Sequence, residues 1–180
     1  MMPPMTLGVV LAGGLSTRFG SDKALAEYQG HTLLAHAVDL LSGWCEHVIV
    51  AGRAEAPAPT VPDHPRSGMG PLGGLLAGLR HAQDEGYAGV LTIGVDTLDL
   101  PADLPALLGP APAYLATQPV VGHWRPADAL LLEELLAGDG SHAMMAFVEA
   151  CGARPVTLPA SPANINTPAD LAQLEQRGGG

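Results

Sequence analysis

Few residues in this chain are of a type and spacing that could do chemistry. Leu11-Ala12-Gly13-Gly14-Leu15-Ser16-Thr17-Arg18-Phe19-Gly20-Ser21-Asp22-Lys23 combines three glycines with an arginine and the only lysine of the chain, Lys23. Glycines let backbone N–H groups approach a phosphate closely, and the two cations add charge, so the stretch suits phosphate recognition. It is not the ordinary phosphate-binding loop, because GxxxxGK[ST] needs glycine where Asp22 stands. A plain glycine-rich turn is the competing reading, and the gathering of cations in an acidic chain weighs against it. The second candidate is Asp96, which follows the apolar run 89–95, with Asp99 close behind. A carboxylate at the end of a strand suits Mg²⁺, which takes one or two carboxylates plus substrate phosphate oxygens. A turn former or helix cap is the alternative, and it fits Asp99 and Asp103 better than Asp96.

Other candidates are weaker. Gly68-Met69-Gly70-Pro71-Leu72-Gly73 spells GxGxxG, but no strand leads into it and no acid follows at the spacing that holds a ribose. It reads as a flexible loop after Asp63 that enters a helix through Pro71. Histidines at 31, 36, 47, 64, 81, 123 and 142 show no metal-ligand spacing. His64 and His123 lie in Gly- or Pro-rich stretches that could face a ligand. Cys45 and Cys151 form neither a CxxC pair nor a disulfide framework, so they read as reduced packing residues. No GxSxG elbow occurs, which leaves a hydrolase of that type unsupported.

The elements that must hold these residues alternate along the chain. Thr6–Leu11 reads as a buried strand, and Leu33, Leu34, Ala37, Val38 and Leu41 recur at helical spacing up to Ser42-Gly43. His47–Val50 reads as a strand, Ala54–Pro71 as loop with a short strand at Thr60-Val61. A helix from Pro71 carries Leu72, Leu75, Leu76 and Leu79. Gly89–Val95 is the clearest strand. Ala102–Leu108 is expected to be helical, Ala113–Thr117 a strand, Leu130–Ala137 and His142–Ala150 helices, the latter capped by Ser141. Val156 falls in a strand, and Thr167-Pro168-Ala169-Asp170 starts a last helix. The alternation predicts a single-domain α/β fold, Rossmann-like and doubly wound, with a mostly parallel sheet and helices on both faces. Ligands in such sheets bind beyond the carboxyl ends of strands, here after Leu11, Val50 and Val95.

Composition narrows the class further. Of 180 residues 47% are hydrophobic and 14% charged, and the mean hydropathy is +0.22, which suits a packed core rather than disorder. One domain over 1–180 is expected, with 1–5 and 178–180 as disordered tails. No apolar run reaches the roughly 18 residues of a membrane span. The N-terminus lacks a secretory pattern, so the expected location is the cytoplasm. Eighteen acids against eight bases give a net charge of −10, which argues against nucleic acid as a partner.

Taken together, LAGGxSxRxGxDK at Leu11–Lys23, DxPxxGxGPLGGL at Asp63–Leu75, VDTxxLP at Val95–Pro101 and NINTPADL at Asn164–Leu171 resemble the molybdenum cofactor guanylyltransferases. The four blocks are collinear and span nearly the whole chain. The resemblance implies a nucleotide-diphospho-sugar transferase-like fold and Mg²⁺-dependent transfer of GMP from GTP to molybdopterin or its Mo-bearing form, with release of pyrophosphate. By block match, Leu11, Ala12, Gly13 and Gly14 would bind the nucleotide at its guanine. Lys23 and Arg18 would meet the phosphates, Asp63 the base or ribose region, Asp96 the metal, and Asn164 and Asn166 the pterin side. Molybdoenzymes or other cofactor-synthesis proteins are the implied protein partners. The related cytidylyltransferases usually read LAAG at the first block and carry Asp at the two asparagines, so both positions favour guanine. A cytidylyltransferase or sugar-phosphate nucleotidyltransferase, and a non-catalytic GTP-binding module, are the alternatives. Three departures stand out: no Asn near Ala51-Gly52-Arg53, Leu98 in place of Pro, and Phe19 where Met is commoner.

Overall fold

A computed structural model describes residues 5–12, 25–53, 56–62, 70–95, 100–159 and 172. Its sheet grows outward from β1 (Thr6–Leu11), an apolar run whose middle four residues are all buried. On one side lie β4 (His47–Ala51) and then β5 (Thr60–Val61). On the other come β6 (Gly89–Gly94), β8 (Gln118–Trp124), β7 (Ala113–Leu115) and β9 (Arg154–Val156). The strands β5, β4, β1 and β6 are mutually parallel, as are β7 and β9, whereas β8 runs antiparallel to both its neighbours. A two-residue turn at Gln29-Gly30, both with positive φ, joins the separate hairpin β2 (Glu27–Tyr28) and β3 (His31–Thr32).

Among the described residues, the helices α1 to α5 cover the two faces. α1 (Leu33–Ser42) starts at Thr32, whose Oγ1 accepts the Ala35 N–H at 3.1 Å, and ends at Gly43. Together with α3 (Leu104–Leu108) it buries one face of the sheet, through Leu34, Leu41, Leu104 and Leu108 against Val10, Val50 and Ile93. The other face carries α2 (Pro71–Glu85), α4 (Ala129–Ala137) and α5 (Met144–Cys151) against Leu7, Val9, Ile49 and Val90. Successive strand residues alternate between the two cores, as the two-residue period of a strand requires. The doubly wound, mostly parallel α/β architecture agrees with the expectation.

Boundaries moved and two elements were not anticipated. α3 begins at Leu104, β7 ends at Leu115, and α5 begins at Met144 after Ala143; Ser141 Oγ instead accepts the Ala143 N–H at 3.2 Å, outside the helix. The hairpin β2–β3 and the strand β8 lie in stretches without a strong strand pattern. Pro119 and Gly122 interrupt β8. Gly122 is needed there, because a Cβ would lie 2.4 Å from Trp124 Cζ2 and 2.9 Å from the Ala113 carbonyl oxygen. The expected helix start at Thr167 lies outside the described residues, as do 1–4 and 178–180.

Helix α2 has no polar face over its first half: every residue from Leu72 to Leu79 is buried, between the sheet and α4. Gly78 permits this approach, since a Cβ there would sit 2.8 Å from Val9 Cγ2. Gly78→Val is therefore expected to destabilise the fold by about 1–3 kcal/mol through overpacking. At this chain length that corresponds to a fall in Tm of roughly 3–10 °C. An unchanged thermal melt would contradict the close approach.

Candidate functional site

Four parallel strands end side by side. Leu11 is the register partner of Ala51 in β4 and of Gly94 in β6, and Ala51 pairs in turn with Val61 of β5. At the usual strand separation these ends span about 15 Å. Bonds past the ladder hold the rim: Ala12 N–H donates to the Ala51 carbonyl and Gly52 N–H to the Val61 carbonyl, each at 3.1 Å. After β1 the chain crosses toward β4, and after β6 it crosses the other way toward β7, so the connections diverge between β1 and β6. Such a divergence is where open α/β sheets form a ligand crevice.

The helices that follow these strands run back antiparallel to them, so α1 and α2 both begin at this rim. Thr32 caps α1. By contrast α2 opens with Gly70, at φ 75°, and Pro71, with no side-chain cap and no acidic residue in its first turn. Its positive end is not offset by a carboxylate of its own first turn, which favours an anion at the rim.

Leu11, half-buried, and Ala12, buried, stand at the rim where the sequence placed them. Gly13, Gly14, Arg18, Lys23, Asp63, Asp96, Asn164 and Asn166 lie outside the described residues. The chain positions that lead into three of these segments do converge. Ala12 precedes Gly13, Pro62 precedes Asp63 and Val95 precedes Asp96, and each follows the last residue of a rim strand.

Beyond Thr92 the β6–β8 ladder stops, its register pairs being Val90↔Trp124, Leu91↔His123 and Thr92↔Gly122. The buried Thr92 side chain takes over. Its Oγ1 donates to the Val120 carbonyl at 2.7 Å and accepts the Trp124 indole N–H at 2.8 Å. Among the described residues, Ile93, Gly94 and Val95 have no ladder partner on their β8 side.

The basic residues divide by position. Arg80 pairs with Glu133 between α2 and α4, and Arg125 forks onto Asp128 at 2.9 and 3.2 Å. Arg154 Nη2 donates to the carbonyls of Leu108 at 3.0 Å and Pro110 at 2.7 Å. Among the described residues, Arg53 is the lysine or arginine at the rim, half-buried two positions past the end of β4. From sequence alone this position stands out only for the asparagine it lacks. The available signal was the scarcity of cations, which makes any arginine at a strand's carboxyl end informative.

Several weaker candidates fall away. His123, on the interior strand β8, lies toward the amino end of β6, where Nδ1 donates to the Gly109 carbonyl at 2.9 Å and the ring fills the space above Gly89, so it does not face the rim. His64 lies outside the described residues. Burial, and then the neighbouring Glu46, push the Cys45 thiol up to about 12, and burial also raises that of Cys151. Neither supplies a thiolate nucleophile at neutral pH. Among the described residues no three of His, Cys, Asp and Glu gather into a metal site, and no helix is long and apolar enough to cross a membrane.

Comparison with known proteins places this architecture. Residues 8–156 match the MobA-like NTP transferase domain. A relative from Acidiphilium cryptum strain JF-5, named molybdenum cofactor guanylyltransferase, is 38% identical over 93% of this chain and 92% of its own. Among solved structures, molybdopterin-guanine dinucleotide biosynthesis protein A from Archaeoglobus fulgidus superposes with a TM-score of 0.73 at 19% identity, covering 96% of this chain and 98% of that one. A Mycobacterium tuberculosis H37Rv protein solved with manganese gives 0.63 at 18% identity, with coverages of 96% and 98%. At these identities the two structures speak for the fold alone.

Proposed function

The chain belongs to the MobA-like NTP transferase family, and within it to the molybdenum cofactor guanylyltransferases, and from that premise we propose how its residues work. It is a nucleotidyltransferase. In the proposed reaction an oxygen of the terminal phosphate of molybdopterin, or of its Mo-bearing form, bonds to the α-phosphorus of GTP. The bond from that phosphorus to the β-phosphate oxygen breaks, and its electron pair leaves with pyrophosphate. The observation that carries the reading is the rim itself. Ala12, Pro62 and Val95 lead from the ends of β1, β5 and β6 on one rim of the sheet into the glycine-rich cationic loop, Asp63 and Asp96.

The main physical problem is charge. Two unit charges at 4 Å repel by about 4 kcal/mol at an effective dielectric of 20, and here a triphosphate must meet a phosphomonoester. Lys23 and Arg18 hold the β- and γ-phosphates as pyrophosphate leaves. Leu11, Ala12, Gly13 and Gly14 face the guanine, Asp63 the base or ribose, and Asn164 and Asn166 the pterin. A hard oxygen donor such as the Asp96 carboxylate, one residue past Val95 at the rim, fits a divalent cation such as Mg²⁺. Manganese in a protein of the same fold supports that choice. When bound, the ion supplies charge neutralisation and Lewis acidity. The protein's own contribution is positioning and fixed charge, with no covalent enzyme intermediate. The reading includes a cytoplasmic enzyme, which its two unpaired thiols favour, with molybdoenzymes or other cofactor-synthesis proteins receiving the product.

Thermal shift with GTP, CTP, ATP and UTP, each with Mg²⁺, tests the nucleotide. A ligand at 100 times its Kd stabilises by about 2.7 kcal/mol, so GTP is expected to raise Tm by several degrees while CTP does not. Preference for CTP would overturn guanine selection. Pyrophosphate release on mixing GTP with molybdopterin then tests transfer against mere binding.

A further inference from the structure

The segment that carries Lys23 is tied to the scaffold on both sides, and both ties lie at the rim. Before it, Ala12 donates its N–H to the Ala51 carbonyl at 3.1 Å. After it, the Ala26 carbonyl accepts the N–H of Leu33, the first residue of α1, at 2.8 Å. Three peptide bonds separate Ala26 from Lys23, so their Cα atoms lie at most about 11 Å apart. Whatever fixes Ala26 therefore limits where the lysine can go.

Directly after Ala26 comes the hairpin β2–β3, which has two residues in each strand and a ladder of its own, separate from the seven-stranded sheet. A two-stranded hairpin is marginal by itself in water, so packing on another element must support it. His36 of α1 supplies that support. Thr32, the end of β3, and His36 stand one helical turn apart, which turns the histidine toward the hairpin. Its half-buried ring donates from Nε2 to the Tyr28 carbonyl at 2.6 Å. The ring also meets those of Tyr28 and His31 edge-on, with centroids 5.4 and 5.8 Å away. Tyr28 and His31 are register partners across the hairpin, so one side chain of α1 clasps both strands. A binding loop that is already ordered costs less to order when its ligand arrives, and such a clasp therefore acts on affinity without touching the ligand.

We propose that His36 is a positioning residue for Lys23: it clasps the hairpin to α1 and so holds the lysine ready for the triphosphate. This rests on the GTP reading and adds to it a residue that acts through Lys23. The test is a double-mutant cycle in the full chain, with GTP and guanosine binding measured by competition against a fluorescent GTP analogue. His36→Leu keeps bulk and removes the donor, and is expected to weaken GTP at least fivefold while guanosine changes less than twofold. His36→Gln returns an N–H donor at similar reach and is expected to recover most of the loss. In a chain already carrying Lys23→Ala, His36→Leu is expected to weaken GTP less than a further twofold, because the lysine it positions is gone. Equal loss for GTP and guanosine, losses that add across the two sites, no recovery in His36→Gln, or unchanged GTP affinity in His36→Leu would each overturn the proposal. Should His36→Leu fail to fold, His36→Asn, whose amide stops short of the Tyr28 carbonyl, takes its place in the cycle. The GTP reading fails separately, if Lys23→Ala alone leaves GTP affinity unchanged. His36 is then judged in the ligand-free chain, where His36→Leu is expected to raise the rate of amine labelling at Lys23, the only lysine, at least threefold. An unchanged labelling rate would overturn the positioning role.

Discussion

Asp96→Ala is expected to slow GMP transfer at least a hundredfold, the order seen when one charge partner of a transition state is lost. β6 is the longest fully buried strand of the sheet, its six residues Gly89–Gly94 all withdrawn from solvent. A strand fixed on one side by β1, with Gly94 in register with Leu11, brings Val95 to the rim. Asp96 is the first carboxylate after that point. Asp96→Asn separates charge from shape, since it keeps the volume and loses the anion. Both variants are expected to require far more Mg²⁺ for half-maximal rate, with GTP affinity in the absence of metal little changed. Pyrophosphate release measured across a Mg²⁺ titration checks this, and near-wild-type turnover with an unshifted titration would remove Asp96 from the metal.

The second large effect is expected from Lys23→Ala, again a hundredfold or more in turnover. A cation within about 4 Å of a phosphate oxygen contributes on the order of 4 kcal/mol before competing costs, and no second lysine can substitute. Lys23→Arg keeps the charge with a different reach and is expected to recover part of the rate. Composition adds a chemical version of the test. Because Lys23 is the chain's only lysine, an amine-directed reagent has that side chain and the N-terminal amine as its targets. GTP is expected to protect Lys23 from labelling, as read by mass spectrometry of the labelled peptide. Labelling at an unchanged rate with saturating GTP would show that the phosphates lie elsewhere.

Much of the scaffold was legible in the residues. Thr6–Leu11 and Gly89–Gly94 are apolar runs that central parallel strands require, and Pro71 with Gly86 brackets α2 by the usual start and stop chemistry. What escaped notice was set by tertiary contact. β8 carries Pro119 and Gly122, both poor strand formers, and is held by the ladder to β7 and by Thr92, remote in the sequence, which bonds the Val120 carbonyl and the Trp124 indole N–H. The rim was legible because strand ends can be read from apolar runs and glycines. Arg53 was not, because a single arginine after Gly52 acquires meaning only once β4, β1 and β6 are known to end together. His123 misled for the converse reason: its Gly- and Pro-rich surroundings suggest a ligand loop, whereas the ring packs on Gly89.

The burial of α2 on both sides has a consequence for synthesis. One wall of the helix is the sheet, but the other is built from α4 and α5, Ala129–Ala137 and Met144–Cys151, which leave the ribosome long after Leu72–Leu79. A nascent chain that has already paired β1 with β4 still presents a strip of leucines with no polar face to mask it. Such a strip is what drives intermolecular association of incomplete chains. Chains truncated before α4 therefore lack the cover that keeps α2 out of water, and the later helices protect the growing protein as well as completing its fold.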